Sequence, residues 1–185
     1  MKFIFDFDSV LFNTKKFIEN NYRCLERAGI PEDIARNYYQ EIRGEVFSMK
    51  NFISTLLERQ KVDGKMEDIY EEMMQECPNL ANFSLLKIVE RLGKNNCFIV
   101  TKGDDDFQRD KIKRSNVASL FSEIYVVPES KKEIIENICK KYKNEPVIFV
   151  DDKIKFFDDL DMKACPNLKT ILYDEQGLKK IISVL

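Results

Sequence analysis

Five short runs of β-branched and aromatic residues constrain the fold of this chain more than any other feature. The runs comprise residues 3–7, 97–101, 123–127, 147–150 and 169–173. Segments with apolar residues three or four positions apart, the spacing of an amphipathic helix, comprise residues 83–92, 106–114, 131–142, 155–160 and 178–184. Continuous apolar runs of this length suit strands buried on both faces. The alternation predicts an α/β fold with a doubly wound, mostly parallel five-stranded sheet.

Residues 15–82 interrupt this alternation, because they contain no strand-like run and show the pattern of three or four consecutive amphipathic helices. Two apolar stripes carry that pattern: Phe17, Ile18, Tyr22, Leu25 and Ala28 form the first, and Val46, Met49, Ile53 and Leu56 form the second. The simplest organisation is a core of residues 1–14 and 83–185 into which residues 15–82 are inserted as a small all-helical domain.

The chain has no histidine, and this absence restricts its chemistry. Ser-His-Asp and Cys-His catalysis and every histidine-ligated metal site are excluded. Carboxylates, lysines, hydroxyl groups and hard cations must therefore perform whatever reaction the protein catalyses.

Charge and cysteine usage limit the partners and the compartment. A formal net charge of -2 argues against nucleic acid as the main partner. The five cysteines include no C-x-x-C pair, so neither a disulfide framework nor a zinc site is indicated, and a reducing, cytoplasmic location is expected. The longest apolar runs are only strand-sized, so no membrane association is expected. The oligomeric state is left open.

Acidic residues follow two of the predicted strands. Asp6 and Asp8 end the first run, and the two-residue period of a strand points both side chains to the same side. Asp151 and Asp152 follow the fourth run. The crevice beyond the carboxyl ends of parallel strands is where ligands bind in open α/β sheets. Four carboxylates gathered there would repel one another unless a cation lay among them, and an oxygen-rich site of this kind selects magnesium.

A hydroxyl group and two lysines add anion-binding potential. The second run ends in Thr101, Lys102 and Gly103, where backbone amides could turn toward a phosphate. Lys131 and Lys132 open a predicted helix, where a cation is poorly placed for the helix dipole and so suggests an anionic partner. The basic stretch 109–114 is instead interpreted as a solvated helix face.

Taken together, these residues resemble the four motifs of the haloacid dehalogenase superfamily. The resemblance rests on the run Asp6-Phe7-Asp8-Ser9-Val10-Leu11, then Thr101, then Lys131, then Asp151-Asp152, in an order that spans nearly the whole chain. It implies a Rossmann-like three-layer core with a helical cap inserted after the first motif, which is where residues 15–82 lie.

The resemblance also implies a reaction. Asp6 would attack phosphorus to give an aspartyl-phosphate, and Asp8 would protonate the leaving oxygen and later deprotonate water. Thr101 and Lys131, together with Lys102 and Gly103, would bind the phosphoryl oxygens of a small phosphorylated metabolite, such as a sugar phosphate, glycolate phosphate or nucleotide. Magnesium would be held by Asp6, the backbone carbonyl of Asp8, Asp152 and Asp151, the last either through water or as the group that orients the lysine.

Two residues depart from the pattern of the family, and two neighbouring lysines compete for the role of the motif lysine. Ser9 stands where many relatives carry glycine, and Asn13 stands where an acid is common. Lys131 is preferred over Lys132 as the motif lysine because Ile134 follows it at the usual spacing. The resemblance further implies phosphoryl transfer rather than carbon–halogen cleavage, since the dehalogenases lack the second aspartate of the first motif.

Other classes of protein share parts of this pattern. A response-regulator receiver domain also combines acidic residues, a threonine and a lysine, but it has its acidic pair on the first strand and no helical insertion. A phosphomutase, or a non-catalytic phosphate-binding or regulatory module of the same superfamily, stays open as an alternative function.

Overall fold

The computed structural model describes residues 1–42 and 47–185, and its elements alternate as the sequence predicts. The strands are β1 (Lys2–Phe5), β2 (Cys97–Lys102), β3 (Glu123–Val127), β4 (Val147–Asp151) and β5 (Leu168–Leu172). The helices are α1 (Thr14–Arg27), α2 (Glu32–Glu41), α3 (Met49–Gln60), α4 (Met66–Gln75), α5 (Phe83–Leu92), α6 (Asp105–Arg114), α7 (Lys132–Lys141), α8 (Lys155–Asp158) and α9 (Gly177–Ile182). Short 3₁₀ turns occur at Cys77–Leu80, Lys94–Asn96 and Ala118–Leu120.

The five strands form one sheet in the order β3-β2-β1-β4-β5, and every pairing is parallel. The predicted α/β fold with a five-stranded parallel sheet is therefore confirmed. β1 lies at the centre, where Phe3 is in register with Cys97 of β2 on one side and Ile148 of β4 on the other. The chain order reverses at β1, and such a switch point opens a ligand-binding crevice at the carboxyl ends of the strands.

The inner strands β1, β2 and β4 are buried on both faces, which explains why they read as continuous apolar runs. Phe3 and Phe5 of β1 pack into the cluster that also contains the buried side chains of α1, α3, α4 and α5. Ile4 points to the opposite face and packs with Phe98, Phe149 and the apolar side of α7. Each fully buried side chain of this size contributes roughly 1.5–3 kcal/mol, so the sheet is a rigid platform for its carboxyl edge.

Four helices, α1–α4, occupy the predicted helical insertion, and the predicted stripes are largely buried. Phe17, Tyr22, Leu25, Met49, Ile53 and Leu56 are buried, Ala28 is half-buried, and Ile18 is an exception with 41% exposure. Val46 lies outside the described residues. The division into a core of residues 1–14 and 83–185 and a cap of residues 15–82 stays a prediction.

The two segments that enter and leave the insertion run side by side. The backbone amide of Asn13 donates to the carbonyl of Leu80, and the amide of Asn82 donates to the carbonyl of Leu11, each at 2.8 Å. Each asparagine also caps a helix, because the Asn13 side chain accepts from the Lys16 amide and the Asn82 side chain accepts from the Leu85 amide. The amide at position 13, where relatives often carry an acid, thus caps α1 as an aspartate would. Within the described ranges 1–42 and 47–185, no helix is both long and apolar enough to cross a membrane.

Candidate active site

Three carboxylates meet where β1 and β4 end side by side. Asp6 follows the last residue of β1, Asp151 is the last residue of β4, and Asp152 follows it. The backbone amide of Asp6 donates to the carbonyl of Val150 at 2.9 Å, which extends the strand pairing to the edge. One oxygen from each carboxylate lies within 4.8 Å of the others. The adjacency of two parallel strands therefore gathers acids that are about 145 positions apart in the sequence.

Lys131 neutralises part of this cluster. Its ammonium lies 2.8 Å from Asp6 Oδ1 and 2.6 Å from Asp151 Oδ2, and its side chain is 1% exposed. The ring of Phe156 covers the ammonium at 4.3 Å. Lys132, in contrast, is 47% exposed and faces Glu136. The structure thus brings Lys131 to the acids and leaves Lys132 at the surface, and Asp151 accepts a hydrogen bond from Lys131.

The cluster fits a divalent cation. The cluster of three carboxylates contains one buried ammonium, that of Lys131. Asp152 Oδ1 is buried without a hydrogen-bond partner among the described residues, and its ion pair with the 52%-exposed Lys153 ammonium is long, at 4.0 Å. Burial raises the pKa of the Asp6 carboxyl to about 6, although the charge of Lys131 opposes the rise. Burial likewise raises the pKa values of Asp151 and Asp152. Magnesium, which prefers carboxylate oxygens, would relieve this repulsion and use the orphaned oxygen.

A cleft of about 510 Å³ adjoins the acidic cluster. Asp6, Asp8 and Lys131 line it together with Thr101 and Lys102. Thr101 is 1% exposed and is the last residue but one of β2. Lysines 153 and 155 stand at the rim and add positive charge. The cleft therefore combines a hydroxyl donor with ammonium groups, as an anionic substrate requires.

Gly103 departs from the expectation that its backbone would bind a phosphate. It lines the cleft, but its amide donates to the carbonyl of Val127 at 2.9 Å and so is already used. Its φ of +156° brings the chain close to Gln108, whose side chain would lie 2.8 Å from a Cβ at this position. Glycine is needed here for close packing rather than for a free amide.

The carboxylate of Asp8 is surrounded by a set of donors that the sequence did not suggest. Lys111 donates to both of its oxygens at 2.7 and 2.9 Å, Gln108 Nε2 donates to Oδ2 at 2.7 Å, and the Thr14 hydroxyl group donates to Oδ1 at 2.7 Å. Burial alone would raise the pKa of Asp8, but the charge of Lys111 and these hydrogen bonds outweigh it and lower the pKa. Asp8 is therefore ionised, and the metal-ligand prediction for its backbone carbonyl stays a prediction.

Asp8 was expected to be positioned by the alternation of side chains along the first strand, but the structure positions it differently. β1 ends at Phe5, so Asp8 is placed by the turn of residues 6–12 and not by the period of a strand. In that turn the amides of Leu11 and Phe12 both donate to the carbonyl of Phe7 at 3.0 Å. Asp6 and Asp8 still line the same cleft.

Lys111 was missed because its stretch of sequence was interpreted as a solvated helix face. Its side chain is 3% exposed and its ammonium lies 4.8 Å from the centre of the Phe107 ring. The signal was present in the spacing, because Lys111 follows Phe107 by four positions and precedes Ile112 on the buried side of α6. A lysine on an apolar helix face indicates an ion pair with a partner elsewhere in the fold.

Ser9 has the backbone conformation that explains why relatives carry glycine at this position. Its φ of +63° lies in the left-handed region, which costs an L-residue about 1–2 kcal/mol. We expect Ser9→Gly to raise the free energy of unfolding by about 1 kcal/mol, after allowance for the larger entropy of unfolded glycine. Urea unfolding measures this difference.

Asn116, with φ of +58°, is the matched control for that substitution because it lies outside the site. Asparagine tolerates the left-handed region better than serine, so Asn116→Gly should stabilise the protein less than Ser9→Gly. A loss of stability in Ser9→Gly would show that the serine side chain contributes more than its backbone costs.

Comparisons with known proteins agree with this arrangement. The model of the family of haloacid dehalogenase-like hydrolases matches residues 3–170. A search of curated proteins finds no match. A haloacid dehalogenase-like hydrolase candidate from Burkholderia xenovorans superposes with a TM-score of 0.72 at 16% identity, over 95% of this chain and 86% of that chain.

Two further solved structures share the fold. The HAD-hydrolase candidate YfnB from Bacillus subtilis, solved with bound magnesium, has a TM-score of 0.58 at 15% identity over 100% of this chain and 97% of its own. A beta-phosphoglucomutase candidate from Thermotoga maritima has a TM-score of 0.63 at 18% identity over 100% of both chains. Identities this low show only a common fold. The family model, in contrast, matches nine-tenths of the sequence and therefore shows the family. The chain is a member of the haloacid dehalogenase-like hydrolase family.

Proposed function

We propose that this hydrolase is a magnesium-dependent phosphatase that transfers the phosphoryl group of a small phosphorylated metabolite to Asp6. The observation that carries the proposal is the buried cluster of Asp6, Asp151, Asp152 and Lys131 beside a cleft lined by Thr101. Such a cluster offers a nucleophile, a divalent-cation site and donors for phosphoryl oxygens within one edge of the sheet.

The first half of the reaction forms an aspartyl-phosphate. Asp6 attacks phosphorus, a bond forms between its carboxylate oxygen and phosphorus, and the electron pair of the breaking P–O bond moves to the leaving oxygen. An alkyl leaving oxygen takes up the proton that Asp8 gained from water in the preceding turnover, which returns Asp8 to its ionised form. Lys131 and the Thr101 hydroxyl group stabilise the negative charge on the phosphoryl oxygens. When bound at Asp6 and Asp152, magnesium supplies the positive charge that lets an anionic nucleophile approach an anionic phosphate.

The second half returns Asp6 to its free form. Asp8, ionised through Lys111 and Gln108, takes a proton from water, and the resulting hydroxide equivalent displaces Asp6 from phosphorus to release inorganic phosphate. A carboxylate that is already ionised suits this step. Aryl phosphates, whose leaving groups need no proton, also react in the first step with Asp8 in this form, so p-nitrophenyl phosphate is a suitable assay substrate.

The size of the cleft, the cysteines and the net charge support proposals for the substrate and for the cellular location. The cleft of about 510 Å³ accommodates a small phosphorylated substrate rather than a macromolecule. All five cysteines are buried and free, which supports the proposal of a reducing, cytoplasmic location. The near-neutral formal charge of -2 supports the proposal that nucleic acid is not the main partner.

Mutase activity is the second candidate, favoured by the structural likeness to the Thermotoga maritima protein. A mutase returns the phosphoryl group from Asp6 to substrate, so it releases little inorganic phosphate. A dehalogenase is disfavoured by Asp8, and a non-catalytic module by the intact set of Asp6, Lys131 and Asp152. Release of inorganic phosphate in step with substrate consumption distinguishes the phosphatase from each alternative.

Removal of divalent cations is the direct test of magnesium dependence. Chelation should lower the hydrolysis of p-nitrophenyl phosphate by at least about 10²-fold, because the uncompensated carboxylates would repel the substrate. Millimolar magnesium should restore it and should raise the melting temperature. In metal-free protein the raised pKa of Asp6, about 6, means that this residue holds a proton below that pH. Magnesium must then displace the proton, so the thermal shift should be smaller at about pH 5 than at about pH 7.5.

Two aspartates provide the comparison for this test. Asp152→Asn removes one of the three clustered carboxylates and should abolish the thermal shift by magnesium. Asp159→Asn, an exposed acid of the same region, should leave the shift unchanged. A chelator-resistant activity, or an equal shift in both variants, would rule out a magnesium site at Asp6 and Asp152.

A further inference from the structure

A second cavity, of about 220 Å³, lies beside the cleft and between the helical insertion and α6. Its walls are mainly aromatic and aliphatic side chains, among them Phe17, Leu25, Tyr39, Phe47, Phe52 and Phe107. The rings contact one another in a chain, with Phe17 and Phe47 each 6.2 Å from Phe107 and Phe52 5.5 Å from Phe47. The cavity therefore has a continuous apolar wall that bridges α1, α3 and α6.

This cavity adjoins the phosphoryl site at the residue assigned to proton transfer. Asp8, Phe47, Lys102 and Gly103 line both the cavity and the cleft. In the proposed reaction water attacks the aspartyl-phosphate from the side opposite the Asp6 oxygen, where the leaving oxygen was. Asp8 takes the proton of that water, so it lies beside the position of the leaving oxygen. The remainder of the leaving group then extends past Asp8, and the apolar cavity is the adjoining space on the side of the insertion.

Two buried amides give the cavity a polar element. Asn21 and Gln108 are each 5% exposed and line it. Within residues 1–42 and 47–185, Asn21 Oδ1 and Gln108 Oε1 are buried and lack a hydrogen-bond partner. The orientation of Gln108 is fixed, because its Nε2 donates to Asp8 and to the carbonyl of Lys102. Unpaired buried acceptors are rare, so each of these two oxygens calls for a partner such as a water molecule or a ligand donor.

The chemistry and size of the cavity select among phosphate esters. An apolar protein cavity of about 150 Å³ accepts benzene, so one of about 220 Å³ suits a single substituted ring or a branched aliphatic group. A sugar would bring several hydroxyl groups against aromatic walls, where most would lose their hydrogen bonds to water without replacement. One hydroxyl or amine group could be satisfied by Asn21 or Gln108.

We propose that this cavity binds the leaving group of the substrate, and that the substrate class is phosphate monoesters of small apolar alcohols, of about the size of one aromatic ring and with at most one or two hydrogen-bond donors. The proposal rests on the proposed phosphatase function and narrows it. It replaces the sugar phosphates and nucleotides that the resemblance alone suggested.

The test compares three substrates in the presence of magnesium. Benzyl phosphate and glucose 6-phosphate are both alkyl esters, so they differ mainly in the apolar or polar character of the leaving group, and acetyl phosphate has almost no group to fill the cavity. We expect kcat/KM for benzyl phosphate to exceed that for glucose 6-phosphate by at least about 100-fold, in the range by which apolar pockets discriminate. Equal values, or a preference for glucose 6-phosphate, would overturn the proposal.

Variants connect that preference to the cavity. Phe52→Leu removes one ring from the wall and should lower kcat/KM for benzyl phosphate about tenfold, with acetyl phosphate changed by less than about twofold. Ile18→Trp, at a cavity-lining position that is 41% exposed and so tolerant of substitution, should narrow the cavity and have the same selective effect. Phe121→Leu, a buried phenylalanine outside the cavity lining, should change none of the three substrates selectively. Equal loss on all substrates in Phe52→Leu and Ile18→Trp would contradict the assignment.

Binding separates this proposal from the phosphatase function. If neither p-nitrophenyl phosphate nor any of the three substrates is hydrolysed, the phosphatase function fails, and calorimetry with two phosphonates then tests the cavity directly. Benzylphosphonate should bind at least about tenfold more tightly than methylphosphonate to the wild-type protein, and Ile18→Trp should remove the difference. Equal affinities of the two phosphonates for the wild-type protein would overturn the cavity assignment.

Discussion

Asp6→Asn is expected to reduce phosphatase activity by at least about 10⁴-fold, the loss typical of removing a catalytic nucleophile. The amide is nearly the same size as the carboxylate but cannot form a bond with phosphorus. The measurement is the steady-state rate with p-nitrophenyl phosphate and magnesium, compared with wild-type protein purified in parallel. No labelled phosphoenzyme should accumulate after rapid quenching in acid.

The fold of this variant should survive, which makes the loss of activity interpretable. In metal-free protein Asp6 is a buried carboxyl with a pKa raised to about 6, so its ionised form destabilises the fold at neutral pH. This raised pKa contributes stability below the ordinary pKa of an aspartate, and that contribution is lost as the pH rises through about 6. Asp6→Asn should therefore unfold at a temperature equal to or above that of metal-free wild type at neutral pH. Activity within tenfold of wild type would mean that another residue accepts the phosphoryl group.

Lys131→Met is expected to lower the free energy of unfolding by about 3–5 kcal/mol, the loss typical of breaking a buried ion pair by removing one partner. Methionine fills a similar volume but leaves the carboxylates of Asp6 and Asp151, at 2.8 and 2.6 Å from the lost ammonium, without a counter-charge. In a chain of 185 residues this corresponds to a drop in melting temperature of about 10 °C. Chemical denaturation in the presence of a chelator is the appropriate measurement.

The neighbouring lysine provides the control for this second prediction. Lys132→Met changes an exposed side chain that faces Glu136 at 3.9 Å, and exposed pairs of this kind contribute less than about 1 kcal/mol. Its stability should therefore stay within about 0.5 kcal/mol of wild type. Similar losses in both variants would contradict the assignment of Lys131 as the buried lysine of the cluster. The comparison also decides experimentally between the two lysines that the sequence left as alternatives.

The sheet was predictable because its inner strands β1, β2 and β4 are buried on both faces and stand out as apolar runs, and because the edge strands β3 and β5 are also rich in β-branched and apolar residues. The run 123–127 corresponds to β3 (Glu123–Val127) with the same bounds. β1, in contrast, ends at Phe5 rather than at residue 7, because the chain turns as soon as Asp6 leaves the sheet. Helix α8 ends at Asp158 rather than at residue 160. Local periodicity predicts which residues are buried but places element ends poorly.

The acidic cluster was predictable for a different reason. Asp6, Asp151 and Asp152 follow apolar runs, and parallel strands bring their carboxyl ends to one edge. The pairing of Asp8 with Lys111 was not predictable in the same way, because the two residues are 103 positions apart and Lys111 lies in a stretch rich in charge. The apolar cavity was also missed. Helical spacing predicts that Phe17 and Ile53 are buried, but not that the packed helices leave a space next to Asp8.

The central position of β1 determines when the sheet can form during synthesis on the ribosome. Phe3 pairs with Cys97 and Ile148, so the strand that presents Asp6 obtains its second neighbour only after about four-fifths of the chain has been made. Pairings this distant are slow to form, since a long loop must close before any contact is gained. Asp6, the proposed nucleophile, is thus translated among the first residues, whereas Lys131, Asp151 and Asp152 are among the last. We therefore expect a nascent chain to carry Asp6 through most of its synthesis without the acidic cluster, which forms only when β4 pairs with β1.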